Sequence, residues 1–556
     1  MNRLILALAA CLAILPASAN DRVHFSEVRY SGDDGGPVPT ETQFLNPVVA
    51  GFYPDPSAIR VGDDFYLVTS TFGYFPGLPV FHSTDLVSWQ QIGNAIHRPG
   101  QINYGEKEEL TRGLFAATIN HHDGVFYVAN TCFYCDGGNF VVTATDPAGP
   151  WSDPIWLGFN GIDPSVFFDD DGSAWIVHND VPDGELRYDG HRAIWLQPFD
   201  FEKGERIGER LLLVDGGFQP DTNPEHVEGP HIFKHDGWYY LTAAEGGTGE
   251  QHAQMVWRSR KVTGPYEGFP GNPVLTQRDL PYERDDKITS TGHAQFIQLA
   301  DGSWWSVFLA TRPYRGNQYN LGRETFLLPV EWQDGWPVIL PRGEPVPLVL
   351  ERPQLPRNPQ TVPTTGPIQW SETFESNTLS LPWVTFHPPE GNWLSTGDGL
   401  RLTPSSMPIG AFGSEAGQPA YVGHRLQHHK ATLETTLEPF DLQPGDLAGL
   451  ALVQNEYGHY VLGVERDEEG LAVSLYRRSG RDGAKQGDRL ARVPLPAFDA
   501  PLSFRFQLDA PGLDAAYRVE GGEWKKVANG LDASLLSVDT AGGFIGNTFG
   551  PYAFRP

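Results

Sequence analysis

One phrase recurs five times between residues 55 and 307: an apolar run, a tight turn carrying an aspartate, then aromatic residues. The copies read DPSAIRVGDDFYL, FAATINHHDGVFYV, DPSVFFDDDGSAWIV, EGPHIFKHDGWYYL and HAQFIQLADGSWWSV. Their leading residues, Asp55, Phe115, Asp163, Glu228 and His293, each stand eight residues before the turn aspartates Asp63, Asp123, Asp171, Asp236 and Asp301. A hairpin repeated at roughly 45–65 residues is the signature of a β-propeller. Equal phase predicts that the five leading residues face one central channel. Three of them are carboxylic acids, so the repeat itself gathers acids around an axis.

The rest of the chain fits an all-β reading. With 62 Gly, 47 Pro and 12% aromatic residues it is rich in turns and strand formers. No long apolar stripe of helical period occurs after the N-terminus. At 556 residues the chain has room for two cores. Repeats and strand signals such as VFHSTDLVSWQQI and MVWRSRKVTGPYE assign residues 46–350 to a five-bladed propeller. Pro353, Pro356, Pro359, Pro363 and Pro367 predict an extended linker over 351–370. From residue 371 to 556, segments such as ATLETTLEPF and LSFRFQL alternate apolar and polar residues, as the strands of a β-sandwich do. Residues 20–45, polar and rich in Gly and Pro, read as a lead-in that packs late or stays mobile.

MNRLILALAACLAILPASA has the charge, apolar run and small residues of a secretory signal peptide over 1–19, so a periplasmic or secreted protein is expected. Cys11 sits where a lipoprotein signal would place it, but the apolar run continues past it, which favours simple cleavage. No other segment predicts membrane insertion. Cys132 and Cys135 either form a small-loop disulfide or stay reduced; a zinc site would need a second pair. The formal net charge of −29 argues against nucleic acid as a partner and leaves a neutral substrate open. Nothing in the sequence bears on oligomeric state.

Asp55, Asp163 and Glu228 are the candidate catalytic residues. Pro56 and Pro164 follow two of them, and Gly229-Pro230 follows the third, so the backbone is constrained where each strand begins. Hydrolysis of a glycosidic bond needs two carboxyl groups in opposite protonation states, one to protonate the leaving oxygen and one to activate water or attack. Clustered acids separate their pKa values because neighbouring negative charges oppose a second ionisation. Asp169-Asp170-Asp171 reads as a hairpin tip, and Trp304-Trp305 as core on a return strand.

The segments NPVVAGFYPDPSAIRVGDDFYLVTSTFGYFPG, IDPSVFFDDDG, EGPHIFKHDGWYYLTAAEGGTG, TGHAQF and LGRET together resemble glycoside hydrolase family 43, in particular its β-xylosidase and α-L-arabinofuranosidase members with a C-terminal concanavalin-like sandwich. The resemblance implies an inverting hydrolase that releases terminal β-D-xylose or α-L-arabinofuranose from hemicellulose-derived oligosaccharides. It assigns Asp55 as general base, Glu228 as general acid and Asp163 as the residue that tunes and orients Glu228. It also implies sugar contacts from Arg323 in LGRET, from Phe72 in STFGYFPG and from Thr248 in EGGT. His293 in GHAQF would lie near the channel axis, where some members hold Ca²⁺ or a water cluster; no cofactor is otherwise required. Phe115 stands where many relatives have Trp, which keeps a stacking face but loses area and the indole donor. Two rivals remain: a retaining, fructosidase-like propeller hydrolase, and a sugar-binding propeller without turnover.

Overall fold

The computed structural model describes residues 22–105, 109–285, 287–358, 362–415 and 417–556. The segment 1–19, expected to be a signal peptide, and Pro359 lie outside the described residues. The regular elements of the described chain are nearly all strands, and their one α-helix is the single turn Val538–Ala541. No helix among the described residues is long and apolar enough to cross a membrane.

Five antiparallel sheets form the propeller, and each opens with one of the repeated phrases. Their innermost strands are Ser57–Val61, Gly113–His122, Ile162–Phe168, Glu228–His235 and Thr289–Gln298. These five strands neighbour one another in a ring around the axis. Aspartates of the phrase occupy the hairpin tips, where Asp123 and Asp236 take left-handed backbone at φ 49° and 48°. The apolar residues fill wedges between neighbouring blades. One wedge holds Val68, Val80, Ile119 and Val128; another holds Tyr240, Val256, Phe308 and Phe326. Trp304 and Trp305 are buried in two adjacent wedges. Lys234 Nζ lies 3.0 Å from Asp169 Oδ1, so the acidic tip is a salt-bridged turn.

The C-terminal region is a sandwich of an eight-stranded and a seven-stranded sheet. In Lys430–Leu437, KATLETTL, exposed or half-buried residues alternate with buried ones along the strand, the pattern of a sheet with one face in a core.

One sequence expectation changes here. Residues Val23–Gly32 are not a mobile lead-in: they form a strand of the eight-stranded sandwich sheet, paired with Lys430–Leu437 and Ile368–Glu372. The polar composition around them hid an alternation in which Val23, Phe25, Val28 and Tyr30 all point into the core. The described residues of the extended linker expected over 351–370 are tied to the propeller. Val349–Glu351 pairs with Gln43–Leu45, the Ala50 N–H donates to Thr364 O at 2.8 Å, and Thr364 Oγ1 donates to Val48 O. An apolar cluster then joins the two units, with Phe52, Phe72, Tyr74 and Leu110 from the propeller against Phe386, Tyr421, Ile545 and Tyr552 from the sandwich.

Candidate active site

All five leading residues of the repeat line one cavity of about 80 Å³ at the propeller axis. By the same measure one water needs about 10–15 Å³, so the cavity has the scale of a single sugar ring. Phe72, Thr248 and Arg323 line it too, so every residue proposed from the sequence meets in one place.

Backbone geometry explains how strands of ordinary register aim side chains down an axis. Asp55, Asp163 and His293 take left-handed backbone at φ 54°, 56° and 51°, and Phe72 does so at 52°. The inner strands of blades two to five carry register shifts at the leading residue, between Leu114 and Ala117, Ile162 and Ser165, Glu228 and His231, and Gly292 and Gln295. A bulge turns one side chain out of the pleat, and positive φ at a non-glycine residue costs about 1–3 kcal/mol. Repetition of that cost at the same phase marks a site whose geometry is held by the surrounding fold. Gly229, at φ 60°, is obligatory: a Cβ there would sit 2.7 Å from the His293 ring.

The three carboxyl groups have different surroundings. Asp55 is buried, with its Oδ1 2.5 Å from Arg323 Nη1 and its Oδ2 accepting from Ser70 Oγ at 2.5 Å. Both oxygens therefore hold donors, one of them cationic, as suits a charged carboxylate. Asp163 is buried and accepts the Gly229 N–H at Oδ2, 3.0 Å away, which ties it to the peptide unit after Glu228. Its own N–H donates to Thr131 Oγ1 at 3.1 Å. Burial, then the charges of Glu228 and Asp55, push the Asp163 carboxyl well above the usual range. Glu228 is pushed from 4.5 up to about 7, first by burial and then by the charge of Asp55, with Arg323 and Arg192 pulling the other way. The site thus holds one ion-paired carboxylate and a pair of carboxyls that resist ionisation.

Aromatic rings form the wall. Phe72 packs against Phe115 with ring centroids 5.3 Å apart, and both meet Phe544 at 5.9 Å. Phe544 belongs to the sandwich. Its N–H donates to Thr111 Oγ1 at 2.7 Å, and its carbonyl accepts from Arg323 Nη2 at 3.4 Å. Sequence reading missed Phe544 because AGGFIGNTFG carries no repeat phase. It also missed His252, whose Nδ1 lies 2.9 Å from Ser290 O. Ile162 and Ala116 also line the cavity, and they flank leading residues, so the repeat contained their signal.

His293 is buried beside His231, with ring centroids 6.4 Å apart, and its Nε2 has no hydrogen-bond partner among the described residues. Among the described residues no group of three or more His, Cys, Asp or Glu is arranged to hold a metal ion. Imidazole nitrogen alone is a poor match for calcium, which takes six to eight oxygen ligands. No step of the proposed chemistry passes through a metal.

Comparison with known proteins agrees with this geometry. Residues 44–337 match the family model for glycosyl hydrolases family 43, and residues 371–556 match that for the β-xylosidase C-terminal concanavalin A-like domain. A xylosidase/arabinosidase from Butyrivibrio fibrisolvens is 37% identical over 91% of this chain and 95% of its own. A non-reducing end α-L-arabinofuranosidase from Bacteroides ovatus is 36% identical over 92% of this chain and 91% of its own. Among solved structures, a GH43_12 protein retrieved from a capybara gut metagenome superposes with a TM-score of 0.85 at 35% identity, covering 96% of this chain and 99% of that one. The matches span both units and every repeat, and on them the chain belongs to glycosyl hydrolase family 43.

Proposed function

We propose that the protein is an inverting exo-glycosidase that removes a terminal β-D-xylosyl or α-L-arabinofuranosyl unit from hemicellulose-derived oligosaccharides. One observation carries the reading: three carboxyl groups converge on a cavity the size of one sugar, in surroundings that favour opposite protonation states. In this scheme Asp55 takes a proton from a water molecule as the water oxygen attacks the anomeric carbon. Glu228 gives its proton to the glycosidic oxygen as that C–O bond breaks. The products are a sugar of inverted configuration and the shortened oligosaccharide. Asp55 is left protonated and Glu228 ionised, and exchange with solvent restores both.

Asp163 serves this scheme as a positioning residue. Its carboxyl shares the local charge with Glu228, and its bond to the Gly229 N–H orients the strand start that carries Glu228. Arg323 and Ser70 hold Asp55, while Phe72, Phe115 and Phe544 offer apolar faces to the sugar ring. Xylosidase and arabinofuranosidase names both occur among the relatives, which keeps both sugars in the proposal. Export is part of the proposal as well, supported by the N-terminal apolar run and by a Cys132–Cys135 disulfide of the kind that persists in oxidising compartments.

The test is turnover of a panel of nitrophenyl glycosides, with product configuration followed by NMR. Release of xylose or arabinose with inversion supports the reading. Retention would favour the fructosidase-like mechanism, and no turnover of any glycoside would favour a binding propeller.

A further inference from the structure

Beyond the wall of the cavity the aromatic surface continues outward. Phe115 stacks face to face on Phe133, with centroids 5.0 Å apart and planes 4° apart, and Phe133 meets Tyr134 at 4.6 Å. Tyr134 is 60% exposed, one of the most exposed large side chains of the described residues. It sits at the tip of a turn whose ends are joined by the Cys132–Cys135 disulfide and by the hydrogen bond from Cys132 N–H to Gly138 O at 3.0 Å.

One feature of this turn has no explanation in folding. Tyr134 holds φ at 73°, a left-handed conformation that a bulky aromatic rarely adopts and that costs about 1–3 kcal/mol. A glycine or asparagine would satisfy the turn without that cost. The arginine beside it, Arg112, lies with its guanidinium carbon 5.2 Å from the Phe133 ring centroid and 5.9 Å from that of Tyr134. Its Nε lies 3.8 Å from Glu109 Oε2, and its side chain is 31% exposed. An exposed aromatic face next to a partly exposed guanidinium is the chemistry that holds a pyranose ring: C–H bonds against the ring face and hydroxyls on the guanidinium N–H groups that reach the surface.

We propose that Phe133, Tyr134 and Arg112 form the subsite for the leaving group, the sugar units on the far side of the scissile bond. The inference rests on the glycosidase reading above, and it adds what that reading lacks, a reason for this chain to prefer oligosaccharides. The ledge is continuous with the cavity through Phe115, so a sugar chain whose terminal unit fills the cavity meets Tyr134 as it leaves.

The experiment compares wild type with Tyr134→Gly, and with Tyr134→Asn as a second variant that also tolerates positive φ. Substrates are pentose disaccharides and trisaccharides, set against the methyl glycoside of the same terminal sugar, whose leaving group is too small to reach the ledge. Both variants should melt at or above the wild-type temperature, because the strained tyrosine is gone. Their kcat/KM on the oligosaccharides should fall about tenfold, mostly through KM, the size of a lost aromatic stacking contact. Methyl glycoside turnover should not change, and its persistence shows that the glycosidase reading stands whatever the ledge does. Unchanged oligosaccharide kinetics would overturn the subsite, and so would an equal loss on both substrate types, which would mean that Tyr134 acts through the cavity wall.

Discussion

Glu228→Gln should make the protein inactive on natural substrates and more stable at the same time. In the folded protein the Glu228 carboxyl titrates near 7 instead of 4.5, because burial and the charge of Asp55 oppose its ionisation. The folded state therefore holds a proton that the unfolded chain releases at lower pH. The stability from holding that proton is fully present below about pH 4.5 and is lost as pH rises through about 7. At about 1.4 kcal/mol per pH unit, the gap between the two values corresponds to about 3 kcal/mol, an upper figure since Glu228 keeps some surface on the cavity. Glutamine has the same shape and never ionises, so it removes this penalty. Denaturant unfolding at pH 4 and pH 8 is the assay. The variant should match wild type at pH 4 and exceed it by up to about 3 kcal/mol at pH 8. An advantage independent of pH, or none at pH 8, would refute the claim that the folded site suppresses Glu228 ionisation.

Other expectations follow from the same site. Glu228→Ala should lose most activity on substrates with poor leaving groups and far less on activated aryl glycosides, which need little protonation; equal losses would remove Glu228 from the role of acid. The pH–rate profile should fall on the alkaline side as the Asp163–Glu228 pair gives up its last proton. Asp163→Asn removes the mutual repulsion and should draw that limb down toward the value of about 7 set by burial and Asp55; a limb that stays put would make Asp163 positional only. Arg323→Met leaves the buried Asp55 carboxylate without its cation and should cost about 3–5 kcal/mol in unfolding measurements along with activity. A fragment ending at Leu350 would retain Val23–Gly32 without its sandwich partners, expose Phe52, Tyr74 and Leu110, and lose the Phe544 wall. It should aggregate or melt early, whereas a soluble, fully active fragment would show that the sandwich is dispensable.

The amino-acid sequence alone determined the propeller, its five-fold count and the convergence of Asp55, Phe115, Asp163, Glu228 and His293. The physical reason is that a repeat is local: each phrase encodes its own hairpin, and equal phase in each hairpin means an equal position around the axis. Motif likeness added Phe72, Thr248 and Arg323, and all three line the same cavity. Tertiary structure alone decided what no local pattern encodes. Val23–Gly32 reads as part of a lead-in until its partner strand at Lys430–Leu437, some 400 residues on, is seen beside it. Phe544 reaches the cavity from the other unit, held by Thr111 and Arg323, and no periodicity in its own segment points there. Protonation is the same kind of property. Three carboxylates look alike in sequence, and only the arginine beside Asp55 and the enclosure of Asp163 and Glu228 make one charged and the others reluctant, because charge energetics depend on surroundings that the fold assembles.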